Sequence, residues 1–365
     1  MKHWQEARQV FDWLATLLAE HRPVALATVV SVRGSAYRRE GAKMAVAQDG
    51  ASVGNVSGGC LEMDVREIAL GVIASGVPEL RSYCSATDDI RAWDLGVGCE
   101  GEVQVLIEPV LPSFRIDPTL FATATPFAVC TAADIARGDL PRHRLVVTAA
   151  GCEPASDTPA FDQAIMAEAR RMLAQGACPA LRDIAGRAVF VDVHRPPPQL
   201  VIVSAANDAR PLARFADAVG FRTIVVDRRP GLLSPDRFPG ATRLVDAAPA
   251  DLTGSIAVDA NSYAVVMTHN YSDDQQYLRA LVATPVSYIG VLGPRQRTER
   301  LVRSIAIDTP FDTDRIYGPV GLDVGADGAE QIALAVVAEL LVVRRGRYPR
   351  SLRERELPMH VPVDA

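Results

Sequence analysis

Leu200-Val-Ile-Val-Ser-Ala-Ala-Asn-Asp-Ala-Arg-Pro-Leu-Ala-Arg-Phe-Ala-Asp-Ala-Val-Gly220, continued by Phe221-Arg-Thr-Ile-Val-Val-Asp227, is the stretch that decides the fold. Leu200 to Val203 is a short apolar run of strand length. From Ala209 to Val219 apolar residues return at helical spacing, and Gly220 stops the helix. Arg222 to Val226 is a second short β-rich run, ending at Asp227. Strand, helix and strand in such quick succession form a βαβ unit, which requires parallel pairing. The same rhythm continues beyond it. Tyr263 to Thr268 and Val286 to Val291 read as further strands, with a helix from Ser272 to Ala283 between them. A last helix starts near Asp327-Gly-Ala-Glu330, which reads as a capping box, and runs to about Arg345. The expectation is a doubly wound parallel sheet of the Rossmann type, with helices on both faces.

Upstream the pattern differs. Met1 to Arg22 has Trp4, Val10, Phe11, Leu14, Leu17 and Leu18 on one stripe, with Glu6, Arg8, Asp12 and Glu20 elsewhere, so it reads as an amphipathic helix and not as a leader. Strands follow at Val24–Val32 and Lys43–Gln48, with a hairpin turn at Asp49-Gly50. Leu61, Val65, Ile68, Val72 and Ile73 mark a helix that Gly76 ends. Strands are expected at Glu102–Glu108, Pro126–Thr131, Arg144–Thr148 and Arg187–Val193, and a helix at Ala160–Gln175. Pro196-Pro-Pro198 is a stiff linker. The expected organisation is an N-terminal mixed α+β domain over residues 1–198 and a Rossmann-like domain over 199–365.

Composition narrows the function classes. The 365 residues carry a net charge of -6, which speaks against a nucleic-acid binder. The longest apolar run, Ile332 to Val343, is broken by Glu339 and falls short of the roughly 20 residues of a membrane span. Six cysteines (Cys60, Cys84, Cys99, Cys130, Cys152, Cys178) form no CxxC pair. They read as free thiols in a reducing cytoplasm.

Five places could carry chemistry. Ser57-Gly58-Gly59-Cys60 is a tight turn leading into a helix, where backbone N–H groups and the helix end favour anions and a thiolate, a soft metal ligand. Gly96-Val-Gly-Cys99-Glu-Gly101 is a second glycine-flanked cysteine. The two supply too few thiols for a structural zinc site. Arg33, Arg38 and Arg39 lie in a loop of small residues that suits a phosphate or carboxylate clamp. Ser204 and Ala206, with Asn207 following, stand where a dinucleotide fingerprint has glycines, although Asp227 sits where the ribose-binding acid belongs. NAD or NADP is therefore expected to bind weakly or not at all. His269, just past a parallel strand, lies where such sheets bind ligands.

Taken together, several stretches resemble one family. They are Ser31-Val-Arg-Gly-Ser-Ala-Tyr-Arg-Arg-Glu-Gly41, Gly54-Asn-Val-Ser-Gly-Gly-Cys-Leu-Glu62, Gly96-Val-Gly-Cys-Glu-Gly101, Val225-Val-Asp-Arg-Arg-Pro230, Met267-Thr-His269, Tyr288-Ile-Gly-Val-Leu-Gly293 and Gly318-Pro-Val-Gly-Leu-Asp-Val-Gly-Ala326. The chain resembles the XdhC/CoxI family of accessory proteins for molybdenum hydroxylases such as xanthine dehydrogenase and carbon monoxide dehydrogenase. The resemblance implies a carrier without turnover of its own. It implies that such a carrier binds molybdenum cofactor (molybdopterin) transiently, meets a cysteine desulfurase for sulfuration, and helps insertion into an apo-hydroxylase. A homodimer is the expected assembly. The resemblance puts Cys60 and, second, Cys99 at the cofactor site. The family usually shows Gly-Ala-Gly where Ser204-Ala205-Ala206 stand. Two other function classes remain open on sequence: an NAD(P)-dependent oxidoreductase with a degenerate fingerprint, and a thiol redox or metal-handling protein.

Overall fold

The computed structural model describes residues 2–34, 36–84, 101–111, 118–122, 125–132, 143–149, 151–153, 159–307 and 310–354. Two compact units emerge, dividing between Pro196 and Pro197.

The N-terminal unit holds two antiparallel sheets. Helix α1 (Lys2–Ala19) precedes strands β1 (Val24–Gly34), β2 (Lys43–Ala47) and β3 (Ser52–Gly54). Helix α2 (Glu62–Ser75), β4 (Glu79–Cys84) and β5 (Gly101–Pro109) complete the first sheet, in the order β3-β2-β1-β5-β4. The second sheet has the order β8-β7-β6-β10-β9. Its strands are β6 (Phe127–Ala132), β7 (His143–Thr148), β8 (Cys152–Glu153), β9 (Ala180–Ile184) and β10 (Arg187–His194), with helix α3 (Pro159–Gln175) between β8 and β9.

Alternation along β1 explains how one strand serves two cores. Val24 and Leu26 face the stripe of α1 (Trp4, Val10, Phe11, Leu14, Leu17) and Phe127 and Val129 of the second sheet. Ala25, Ala27 and Val29 face Val65, Ala69 and Val72 of α2. The far side of the second sheet buries Ile165, Ala169 and Met172 of α3 against Cys130, Leu145 and Val191.

The C-terminal unit is one six-stranded, all-parallel sheet in the order β13-β12-β11-β14-β15-β16. Its strands are β11 (Gln199–Val203), β12 (Arg222–Asp227), β13 (Arg243–Asp246), β14 (Ser262–Val266), β15 (Tyr288–Val291) and β16 (Ile316–Tyr317). Leu200 and Ile202 pack against α4 (Ala209–Ala218) and α7 (Ala329–Arg344) on one face. Val201 and Val203 pack against α5 (Tyr271–Val282) and α6 (Arg295–Ala306) on the other. The doubly wound sheet read from Leu200 to Asp227 is thus present.

Sequence and structure part at a few elements. The capping box expected at Asp327–Glu330 does not form. Gly328, at φ 86°, takes the cap position, and the Asp327 N–H donates to Gln331 instead. The strands β4, β9, β13 and β16 and the helix α6 carry too few apolar residues to be seen by periodicity. In α6 only Thr298, Leu301 and Ile305 are buried. Among the described residues no helix is long and apolar enough to cross a membrane.

Candidate functional site

The chain leaves β3 at Gly54, where φ is +84° and a β-carbon would lie 2.3 Å from the Lys43 carbonyl oxygen. Only glycine lets the chain pass this close and turn into residues 55–61. Ser57 is the hub of that turn. Its buried hydroxyl accepts from the N–H groups of Gly59 and Leu61, each at 3.1 Å, and donates to Glu62 Oε2 at 2.5 Å. The other oxygen of Glu62 accepts from the N–H groups of Ser57 at 2.8 Å and Val56 at 3.2 Å. Burial pushes the Glu62 carboxyl up. The Ser57 hydroxyl and the N–H groups of Ser57, Glu62 and Val56 outweigh it and hold the pKa below the ordinary carboxylate value.

Cys60 emerges from this rigid turn partly exposed, its sulfur 3.6 Å from the Ser57 hydroxyl. The first helical residue is Glu62, so the thiol stands two positions ahead of the helix and not on its first turn. Most donors expected to face a ligand are already spent inside the turn. Among the described residues only the N–H groups of Gly58 and Cys60 within Ser57–Leu61 make no hydrogen bond.

The arginine loop comes up against this turn. The ring of Tyr37, 73% exposed, lies on Gly58, where a β-carbon would be 3.2 Å from it. Arg38 reaches the other way, to Glu6 of α1 at 2.5 Å, and braces the loop. Arg39, half-buried, makes no ion pair among the described residues. Met63, in the first turn of α2, is 77% exposed. Cys99 and its glycine loop lie outside the described residues. Of the other thiols, Cys130 is buried, while Cys84 and Cys178 are exposed.

In the C-terminal unit, the strand–helix turn after β11 is closed by its own side chains. The Ala205 N–H donates to Asp227 Oδ2 at 2.7 Å, and the Ala206 N–H to the Ser204 hydroxyl at 3.1 Å. Arg229 takes both Asp227 oxygens, at 2.8 and 2.7 Å. Burial alone would raise the Asp227 pKa, but these partners lower it. The acid placed for a ribose is thus saturated by the protein. Asn207 accepts from Arg237 at 3.3 Å, and the same guanidinium holds the Ala205 carbonyl at 2.9 Å. Across the crevice His269, in the left-handed conformation at φ 63°, contacts Asp208 at 2.6 Å. Glu62, Tyr37, Asp208 and Arg237 were not singled out by sequence reasoning. Glu62 had a signal, as an acid opening a helix just after a serine turn. The others owe their place to contacts distant in sequence. Among the described residues no group of three or more His, Cys, Asp or Glu side chains forms a metal cluster.

Comparison with known proteins covers both units. Residues 17–84 match the model of the XdhC and CoxI family, and residues 200–340 match that of the XdhC Rossmann domain. A probable xanthine dehydrogenase subunit of Bacillus subtilis (strain 168) is 32% identical over 91% of this chain and 96% of its own length. PaoD of Escherichia coli (strain K12), a molybdenum cofactor insertion chaperone, is 24% identical over 94% of this chain and 93% of its own. The crystal structure of a xanthine dehydrogenase from Bacillus halodurans superposes with a TM-score of 0.76 at 29% identity, covering 93% of this chain and 97% of that one. On these matches, which reach from the serine–cysteine turn through the parallel sheet, the chain belongs to the XdhC and CoxI family.

Proposed function

We propose that this protein is an accessory factor in the maturation of a molybdenum hydroxylase. It carries molybdenum cofactor as cargo at the Cys60 turn, with no turnover of its own. The observation that carries the reading is a partly exposed thiol fixed by the Ser57–Glu62 hydrogen bonds. A thiolate is the softest donor the chain offers, and molybdenum bound to a dithiolene keeps an affinity for soft donors. Ser57, Gly58 and Gly59 shape the turn, the N–H groups of Gly58 and Cys60 suit an anionic oxygen, and Arg39 suits the phosphate. Arg38 acts through its brace to Glu6. Cys99 is proposed as a second soft donor. The chaperone role borne by PaoD supports this assignment.

Beyond that role, the protein meets a cysteine desulfurase in the cytoplasm, where its cargo is sulfurated. It then passes the cargo to an apo-hydroxylase, working as a homodimer. The saturated Asp227 and the closed turn at Ser204–Ala206 argue against NAD or NADP as a ligand and against the oxidoreductase reading.

The deciding measurement is molybdenum and pterin content per protomer after anaerobic purification, for the parent chain and Cys60→Ala, with thermal melts alongside. The variant should lose the cargo and keep its melting temperature within about 3 °C, because one small side chain is removed from a partly exposed turn. Full retention of cofactor by Cys60→Ala refutes the assignment.

A further inference from the structure

We infer that the C-terminal unit contains a divalent transition-metal site, with His269 and Asp208 as its two protein donors and open positions for the oxygens of a ligand. Asp208 closes the loop after β11, and His269 follows β14. These strands are neighbours, and the chain leaves them toward opposite edges of the sheet. At such a switch point the two connecting loops diverge and leave a crevice.

Three observations make the pair more than a surface hydrogen bond. His269 adopts φ 63°, a conformation that costs a residue with a β-carbon and that glycine or asparagine adopts easily. That backbone aims the ring at Asp208, with Nε2 at 2.6 Å from Oδ2. Asp208 stands at the cap position of α4, yet its side chain makes no cap hydrogen bond. Its second oxygen, Oδ1, is shut away from solvent and accepts no hydrogen bond. Asp208 also borders a cavity of about 30 Å³ whose other lining side chains, Leu212, Val265, Met267 and Leu292 among them, are apolar. A carboxylate oxygen buried without a partner is costly and calls for a cation or a donor that binds there.

No arginine of the crevice fills that need. Arg228 pairs with Asp273, Arg229 with Asp227 and Arg297 with Asp274. Arg237 spends its guanidinium on the oxygens of Leu232, Ala205 and Asn207. A metal ion held by both oxygens of the Asp208 carboxylate, Oδ2 and the unpartnered Oδ1, supplies the missing charge. Donors bound at about 2.1 Å to one ion lie roughly 3 Å apart, so the pair needs to open only slightly. Imidazole with carboxylate suits zinc, manganese or cobalt better than magnesium or calcium. With two protein donors, the ion keeps positions free for water or for a phosphate or carboxylate ligand.

The test uses the full chain, stripped with a chelator and titrated with Co²⁺ alone, followed by calorimetry and visible absorption. The expected result is one ion per protomer, a spectrum without a thiolate charge-transfer band, and a melting temperature raised by the ion. Asp208→Asn and His269→Asn should each weaken binding about tenfold or more. Asparagine keeps the left-handed backbone at 269, and the isosteric change at 208 provides a second variant should the first not fold. Cys60→Ala should bind cobalt unchanged, so the result is separate from the fate of the cargo site. Absence of binding, equal affinity in the Asp208 and His269 variants, or a thiolate band abolished by Cys60→Ala would overturn the inference.

Discussion

Ser57→Ala tests whether the hydroxyl of Ser57 organises the Cys60 turn. Four hydrogen bonds disappear with it: the 2.5 Å bond to Glu62, the two 3.1 Å bonds from Gly59 and Leu61, and the weak 3.6 Å bond from the Cys60 thiol. A bond to a charged group contributes about 1.5–3 kcal/mol and a neutral one about 1. Glu62 is only half-buried, so the lower end applies to it. The Gly59 N–H is exposed and can turn to water, whereas Leu61 is buried and its N–H cannot. The net loss at neutral pH is about 2–3 kcal/mol, which lowers the melting temperature of a folding unit of this size by about 4–12 °C.

The same variant carries a pH signature. The Glu62 pKa is depressed in the folded state, so its contribution is present above the ordinary carboxylate range and is lost as pH falls through the lowered value. Without the Ser57 donor that depression shrinks. The difference between parent and variant should therefore be full at pH 7 and should narrow as the pH drops below about 4. Urea unfolding of both proteins between pH 7 and pH 3 measures it. A variant as stable as the parent at pH 7, or a gap independent of pH, refutes the hub role of Ser57.

Lys43 is almost fully buried in a close ion pair with Asp192, which also contacts His194 at 2.9 Å. Lys43→Met removes the buried cation of that pair and should cost about 3–5 kcal/mol in urea unfolding. Arg22→Ala, which breaks the exposed 2.6 Å pair with Asp49, should cost less than about 1 kcal/mol; comparable losses would show that burial is not what makes the first pair matter. For the C-terminal crevice, the double change Ser204→Gly and Ala206→Gly restores the fingerprint glycines but leaves the Ala205 N–H and Asp227 bonded to each other. NADH fluorescence titration should therefore show no gain in affinity, and a tight isotherm would refute the saturation argument.

Much of this was written in local sequence. The parallel sheet followed from Leu200–Val203 and Arg222–Val226, because short apolar strands joined by a helix have one way to bury their residues. The stripe from Trp4 to Leu17 announced the buried face of α1 for the same reason, and the serine–glycine–glycine–cysteine turn was visible as a backbone that only small residues allow. Periodicity could not reveal β4, with its polar edge residues, or α6, which buries only three side chains.

The fate of side-chain charges and donors was a matter for tertiary structure alone. Arg38 read as an anion clamp until Glu6, 32 residues away, took it. Asp227 read as the ribose acid, but Ala205 and Arg229 fill its oxygens. Asp208 and His269, 61 residues apart, carried no common signal until adjacent parallel strands brought them together. Sequence sets which groups exist and which backbone turns are allowed, since propensity, periodicity and glycine freedom act over a few residues. Whether a donor or a charge stays free for a ligand depends on partners distant along the chain, and only the packed fold assigns them.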